Sequence, residues 1–252
     1  MVNTNTIKKL INNGFKKLGY QISPITQKFS ILDETFSKHH KLCKKYSMTK
    51  KYAMYATYLS TKYVSENQIS GSLVECGVFK GGNSMMMAAT LAELDDTNRE
   101  IFLYDTFEGM SEPSEIDVRH DGKNAQKVWK DSQRENHNEW VYSSLDEVKK
   151  NMDKVSYPKK NIIFVKGDVC KTLNKKVPEN ISLLRLDTDF YESTKKELEV
   201  LYPRLVKGGV LLIDDYDSWQ GARKAVDEYF KKIGEKPLLF LVGQSGRAMI
   251  KQ

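Results

Sequence analysis

The stretch Leu73-Val74-Glu75-Cys76-Gly77-Val78-Phe79-Lys80-Gly81-Gly82-Asn83-Ser84 reads as an apolar strand, an acidic residue at its end, a glycine turn and the start of a helix. In a doubly wound sheet such a turn lies at the carboxyl end of the first strand, where ligands bind and backbone N–H groups face outward. Gly77 and Gly81 let the backbone come close to a ligand. The spacing is neither the G-x-G-x-x-G of dinucleotide sites nor a phosphate loop ending in G-K-[ST], so nicotinamide cofactors and ATP are disfavoured.

Outward from this turn, from Gly71 onward, short apolar runs alternate with longer helical patterns, the signature of βαβ units and a parallel sheet. Strands are expected at Ser72–Cys76, Ile101–Tyr104, Ile162–Lys166, Ile181–Asp187 and Gly209–Ile213, with Leu238–Leu241 and Ala248–Ile250 near the end. The fold class is therefore α/β, doubly wound. Before the first strand, Thr49 is placed as the N-cap of a helix carrying Tyr52, Tyr55, Ala56, Leu59, Tyr63 and Val64 and ending near Asn67. Residues 1–45 are polar and basic, with Ile7, Leu10, Ile11, Phe15 and Leu18 spaced as on one helical face. The organisation expected is a helical arm and cofactor lid over 1–70 and a catalytic domain over 71–252. Within that domain the polar stretch Ser111–Asn136 is too long for a strand–helix turn and reads as a lid insertion, about 111–140, over the mouth of the sheet.

Composition agrees with one folded domain: of 252 residues, 40% are hydrophobic and 29% charged. The net charge of +7 is spread along the chain and reads as a solvated lysine-rich surface, with no basic–aromatic cluster of a nucleic-acid module. The first 51 residues are the basic exception, with Lys8-Lys9, Lys16-Lys17, Lys44-Lys45 and Lys50-Lys51, an arm suited to peripheral contact with a membrane or an anionic glycan. Cys43, Cys76 and Cys170 form no CxxC pair and no disulfide framework, which points to a reducing, cytoplasmic compartment. No run approaches the roughly 18 apolar residues of a membrane span, and the N-terminus lacks the apolar core of a signal peptide.

Acidic residues close several strands. Asp105, in Asp105-Thr106-Phe107-Glu108-Gly109-Met110, ends the second strand, where a carboxylate can accept hydrogen bonds from the ribose hydroxyls of a nucleoside. Phe107 is placed to lie against an adenine or an aliphatic chain, and Asp168 to bind an adenine amino group, although turn chemistry explains Gly167-Asp168 equally well. The sharpest signal is Asp187 together with Asp214 and Asp215, 27 and 28 residues further on, each directly after an apolar strand. Converged at one sheet edge, three carboxylates repel one another unless a cation joins them. All-oxygen ligands point to Mg²⁺, with Mn²⁺ or Ca²⁺ as substitutes. The plainer reading, Asp-rich turns capping helices, suits Asp189 and Asp217 better than the three acids at strand ends. His120, His137, Trp129 and Trp140 lie in or beside the insertion, where rings can stack on a sugar or simply anchor the lid.

A strand ending in E-x-G resembles the cofactor loop of class I methyltransferases. With Asp105–Met110, Leu186–Thr194 and Gly208–Tyr216, and with the helix Gly221–Glu228, the chain over about residues 46–235 resembles the macrocin O-methyltransferase (TylF-type) family, which methylates deoxysugar hydroxyls. The resemblance implies a Rossmann-like methyltransferase sheet of seven strands with the last antiparallel. It implies S-adenosylmethionine as cofactor, surrounded by Met48, Glu75, Gly77, Gly81, Ser84, Asp105, Thr106, Phe107 and Asp168, and a divalent metal on Asp187, Asp214 and Asp215, with Asp187 as general base. The acceptor implied is sugar-containing, and the enzyme a homo-oligomer. A metal-dependent phosphotransferase or hydrolase would also use strand-end acids, but its phosphate loop or nucleophile motif is not found. A non-catalytic nucleic-acid-binding domain would require tight, salt-sensitive binding.

Overall fold

The structure, a computed structural model, describes residues 33–252. The amphipathic spacing from Ile7 to Leu18 and the lysine pairs before it reaches Glu34 lie outside the described residues. The elements are α1 (Glu34–Cys43), α2 (Lys51–Glu66), β1 (Ser72–Cys76), α3 (Gly82–Glu93), β2 (Ile101–Asp105), α4 (Ala125–Asp131), α5 (Leu145–Met152) and β3 (Ile162–Lys166). There follow α6 (Val169–Thr172), β4 (Ile181–Leu186), α7 (Tyr191–Leu201), β5 (Leu205–Ile213), α8 (Gln220–Ile233), β6 (Phe240–Val242) and β7 (Gly246–Ile250).

The strands form one sheet in the order β3-β2-β1-β4-β5-β7-β6. β1 to β5 are parallel, and β7 runs antiparallel to both its neighbours, as expected. The chain winds outward through β1, β2 and β3, then returns to lay β4 against the other side of β1. That reversal opens a crevice at the carboxyl ends of β1 and β4. Register makes those ends level: Glu75 pairs with Arg185, and Leu186 with Ile213.

On one face, Val74, Cys76, Leu184, Leu186, Leu211 and Ile213 pack against Leu198 and Leu201 of α7 and Tyr229 and Phe230 of α8. Burying each such side chain is worth about 1.5–3 kcal/mol. α2 and α3 pack together, and α3 is buried from Gly82 to Leu91 on every face, so it reads as apolar all round. Phe36 of α1 meets the rings of Tyr55 and Tyr58 of α2 at 4.8 and 5.5 Å.

Two expectations are corrected. Lys50, not Thr49, caps α2, and no side chain bonds that helix start; the Thr49 hydroxyl is drawn instead to Asn83 and Arg185. β5 begins at Leu205, four residues early, because Gly208 (φ +81°) and Gly209 continue the strand rather than precede it. Among the described residues no helix is long and apolar enough to cross a membrane.

Candidate active site

A cavity of about 600 Å³ lies at the carboxyl ends of β1, β4 and β5, within the usual 300–1,000 Å³ of small-molecule pockets. Of the residues singled out from sequence, Met48, Glu75, Gly77, Asp105, Thr106 and Asp168 line it, as do Asp187, Asp214 and Asp215. Gly81, Ser84 and Phe107 do not reach its wall. Gly81, at φ +91°, is the left-handed residue from which α3 starts. Ser84 is fully buried and its hydroxyl bonds Glu75. Phe107 is buried with its ring 6.3 Å from that of Phe164.

The glycine turn is a backbone contact before it is a ligand cradle. A Cβ on Gly77 would lie 1.9 Å from the carbonyl oxygen of Asp187, so no other residue fits where β1 and β4 end together. Asp105 then locks the turn from the side. One carboxylate oxygen accepts the Val78 and Phe79 amides at 2.7 and 3.0 Å, and the other accepts the Phe107 amide at 2.7 Å. Burial raises its pKa against the pull of those bonds. Asp168 caps α6 by accepting from the Cys170 amide at 2.9 Å, and still faces the cavity.

Opposite this half stand the acids. Asp187, Asp214 and Asp215 each offer an oxygen, all within 4.8 Å of one another. Two oxygens on one hard divalent ion sit at most about twice its 2.0–2.6 Å bond length apart, so the three fit one ion. Asp215 Oδ2 is buried and has no hydrogen-bond partner, a lone pair left free for such a ligand. Burial pushes the Asp187 and Asp215 carboxyls well above the ordinary carboxylate range; Asp187 is pulled back by Arg185, while Asp215 is raised further by Asp189 and Asp214.

Sequence reading passed over several groups here. Arg185, fully buried on β4, donates from Nη1 to Glu75 at 3.0 Å and Asp187 at 2.6 Å, and from Nη2 to Asp214 at 2.7 Å and Thr49 at 3.3 Å. Asp189 is not a helix cap. It sits at φ +66° beside Asp187, Asp214 and Asp215 in the cavity wall, and burial raises its pKa to about 7. The amide at the start of α7, Tyr191 N, is instead bonded by Asp117 of the insertion at 2.8 Å. Asp217 likewise caps nothing and pairs with Arg247 and Arg223. The signal that could have found Asp189 is its i,i+2 spacing from Asp187, which outside a helix puts both near one strand end.

The insertion closes the acidic side. Trp140 lines the cavity and packs with Phe190 and Trp219 at 5.8 and 6.0 Å, and His120 also reaches the wall. Trp129 is an anchor, its indole N–H donating to the Met110 carbonyl at 2.9 Å, and His137 stacks on Tyr142 at 4.3 Å.

Residues 35–242 match the family described as Macrocin-O-methyltransferase (TylF). The chain is 34% identical over 166 residues, 66% of its length, to the 8-demethyl-8-(2,3-dimethoxy-alpha-L-rhamnosyl)-tetracenomycin-C 4'-O-methyltransferase of Streptomyces olivaceus. It is 30% identical over 180 residues, 71% of its length, to the demethyldecarbamoylnovobiocin O-methyltransferase of Streptomyces niveus. These matches span 60% and 66% of the relatives' own lengths, less than two thirds of each. The solved structure of the O-methyltransferase NovP superposes with a TM-score of 0.73 at 26% identity, covering 82% of each chain. With the glycine turn, the strand-end acids and the seven-stranded sheet all in place, the chain belongs to the macrocin O-methyltransferase (TylF) family and has its Rossmann-like methyltransferase fold.

Proposed function

We propose that this protein is an S-adenosylmethionine-dependent, divalent-metal-assisted O-methyltransferase acting on a sugar hydroxyl of a glycan or glycosylated natural product. The observation that carries the reading is the meeting, in one cavity, of the Glu75–Gly77 turn with three carboxylate oxygens within 4.8 Å. The relatives named above, by their names O-methyltransferases of glycosylated or antibiotic compounds, support it.

S-adenosylmethionine, when bound, supplies an electrophilic methyl group on a sulfonium. Glu75, Gly77, Thr106 and Asp168 line the half of the cavity that would hold it, under Met48. Asp187, Asp214 and Asp215 would hold Mg²⁺, which supplies a charge that lowers the pKa of a nearby hydroxyl. The carboxylates and the Trp140–Trp219 wall would orient the acceptor, so that placement and electrostatics carry most of the rate. Asp187, with its oxygen turned into the cluster, takes the hydroxyl proton.

A second reading of the base has its own support. Asp187 is tied to Arg185 at 2.6 Å, whereas Asp189, two residues on and facing the same cavity, has no ion pair among the described residues and stands free to accept a proton. Calorimetric titration with S-adenosylmethionine and S-adenosylhomocysteine, in Mg²⁺ and then in EDTA, tests the central claim. Micromolar binding of both is expected. Asp215→Ala should abolish methyl transfer in a screen of glycosylated acceptors while keeping cofactor affinity. No binding of either compound sinks the reading, and full turnover of the variant in EDTA sinks its metal part.

A further inference from the structure

Arg185 is among the largest fully buried side chains of the described residues. It lies on a central strand, between β1 and β5, where a cation left unpaired would be strongly destabilising. Burial alone would lower its pKa, but Asp187, Asp214 and Glu75, all bonded to it, outweigh that and raise it. The alternation of β4 puts Arg185 and Asp187 on one face, two residues apart, and register puts Glu75 directly beside Arg185. The planar fork sets two nitrogens apart, so that Nη1 and Nη2 each serve two partners; a lysine gathers its three donors on one nitrogen at the end of a shorter reach.

Those directions join two halves of the cavity. Nη1 spans Glu75 on the glycine-turn side and Asp187 on the acidic side; Nη2 spans Asp214 and, from the segment above, Thr49. Three carboxyl groups, Glu75, Asp187 and Asp214, are bonded to this one guanidinium, and its charge also reaches Asp215. The backbone fixes where the two strands end, with Asp214 N bonded to the Leu186 carbonyl at 2.9 Å, but it is the guanidinium that offsets the repulsion between the Asp187 and Asp214 carboxylates.

We propose that Arg185 is a positioning residue, an internal cation that holds Glu75, Asp187 and Asp214 converged before any divalent ion arrives and ties the Thr49 segment to them. The inference rests on the reading of this cavity as the site, but not on turnover. It makes the divalent ion an addition to a preformed cluster rather than the agent that assembles it.

Thermal unfolding of the full chain tests it. Arg185→Gln should lower Tm in EDTA by something on the order of 10 °C, and 10 mM Mg²⁺ should restore at least half of that loss, because the ion replaces the missing positive charge. The native protein should gain much less from Mg²⁺. Arg99→Gln is the control: Arg99 is also mostly buried, bonded to Asp96 and to backbone carbonyls away from the cavity, and its loss should be indifferent to Mg²⁺. Arg185→Lys, which keeps the charge and should fold, should lose several-fold in S-adenosylhomocysteine affinity, since one ammonium nitrogen cannot occupy both the Nη1 position beside Glu75 and the Nη2 position beside Asp214 and Thr49. Equal Tm losses with and without Mg²⁺, equal rescue of the Arg99 variant, or an unchanged affinity in Arg185→Lys would each overturn the proposal. Failure of the native chain to bind S-adenosylhomocysteine would count against the methyltransferase reading alone, and the Mg²⁺ arm would still decide the role of Arg185.

Discussion

Glu197 on α7 is a carboxyl that the protein keeps from water entirely, with Oε1 accepting from the Thr188 hydroxyl at 3.0 Å and the Cys76 thiol beside it. Burial raises its pKa from 4.5 to about 8, opposed by those two hydrogen bonds. The folded state thus binds a proton that the unfolded chain releases near pH 4.5, so this contribution is complete below that pH and is lost as pH rises to about 8. Glu197→Gln, neutral at every pH, should flatten the fall of Tm between pH 5 and 9 and exceed the native protein at pH 9. Glu197→Ala should cost about 2–4 kcal/mol throughout that range, for the cavity and the unpaired Thr188. Parallel native and Glu197→Gln curves in a pH series of unfolding scans would refute the assignment. The residue was invisible in the sequence because a glutamate at a helical position normally faces water, and only the packed fold shows which turn of α7 lies under Thr188. The three strand-end aspartates were legible for the opposite reason: an acid straight after an apolar run has few places to go but the sheet's edge. Arg185 sits inside such a run, and its role depends on Thr49, 136 positions away.

The insertion between β2 and α5 was legible as an insertion, from its length and polarity, but not how it is fastened. Its fastener is Asp117, buried, whose Oδ2 accepts from the Ser114 amide and hydroxyl at 2.7 Å each while Oδ1 takes the Tyr191 amide. A further stitch pairs Arg119 with Trp219, and His120 N donates to the Ser218 carbonyl at 2.9 Å. The insertion is thereby pinned to the loops that carry Asp189 and Asp215. Gly221, in the first turn of α8, makes room for the fastener: a Cβ there would lie 1.9 Å from Asp117 Oδ1. Gly221→Ala should therefore destabilise by about 1–3 kcal/mol despite the better helix propensity of alanine. Asp117→Ala should also destabilise, by loss of three bonds, and the double variant should be less destabilised than the two losses added, because the clash needs both groups. Strict additivity in denaturant unfolding would show that the two side chains do not meet. The short β6 illustrates why strand ends were the least legible: Leu238 and Phe240 are apolar yet exposed at the sheet's edge, so apolarity alone misplaced the strand's start.

Across Glu34–Gln252, which form one compact unit, the order of the elements was written in the alternation of apolar runs and helical patterns, because the central parallel strands are covered on both faces and are mostly apolar, Glu75 and Arg185 being the exceptions. What alternation cannot encode is which loops meet, and much of the cavity wall is loops that meet, among them segments near residues 48, 77, 106, 188 and 215. Amide hydrogen exchange reads that convergence directly. Opening free energy should be highest in β1, β4 and β5, buried in the middle of the sheet, and lowest in the polar insertion. A ligand at 100 times its Kd slows openings that abolish its site about 100-fold, which is about 2.7 kcal/mol. S-adenosylhomocysteine with Mg²⁺ should therefore raise protection together in Ser47–Lys50, Gly77–Phe79, Asp105–Glu108 and Asp187–Asp189, and leave Lys231–Pro237, beyond the cavity, unchanged. Protection confined to one of these segments would mean that they do not share a ligand, because a site assembled from separated loops is lost when any one of them opens.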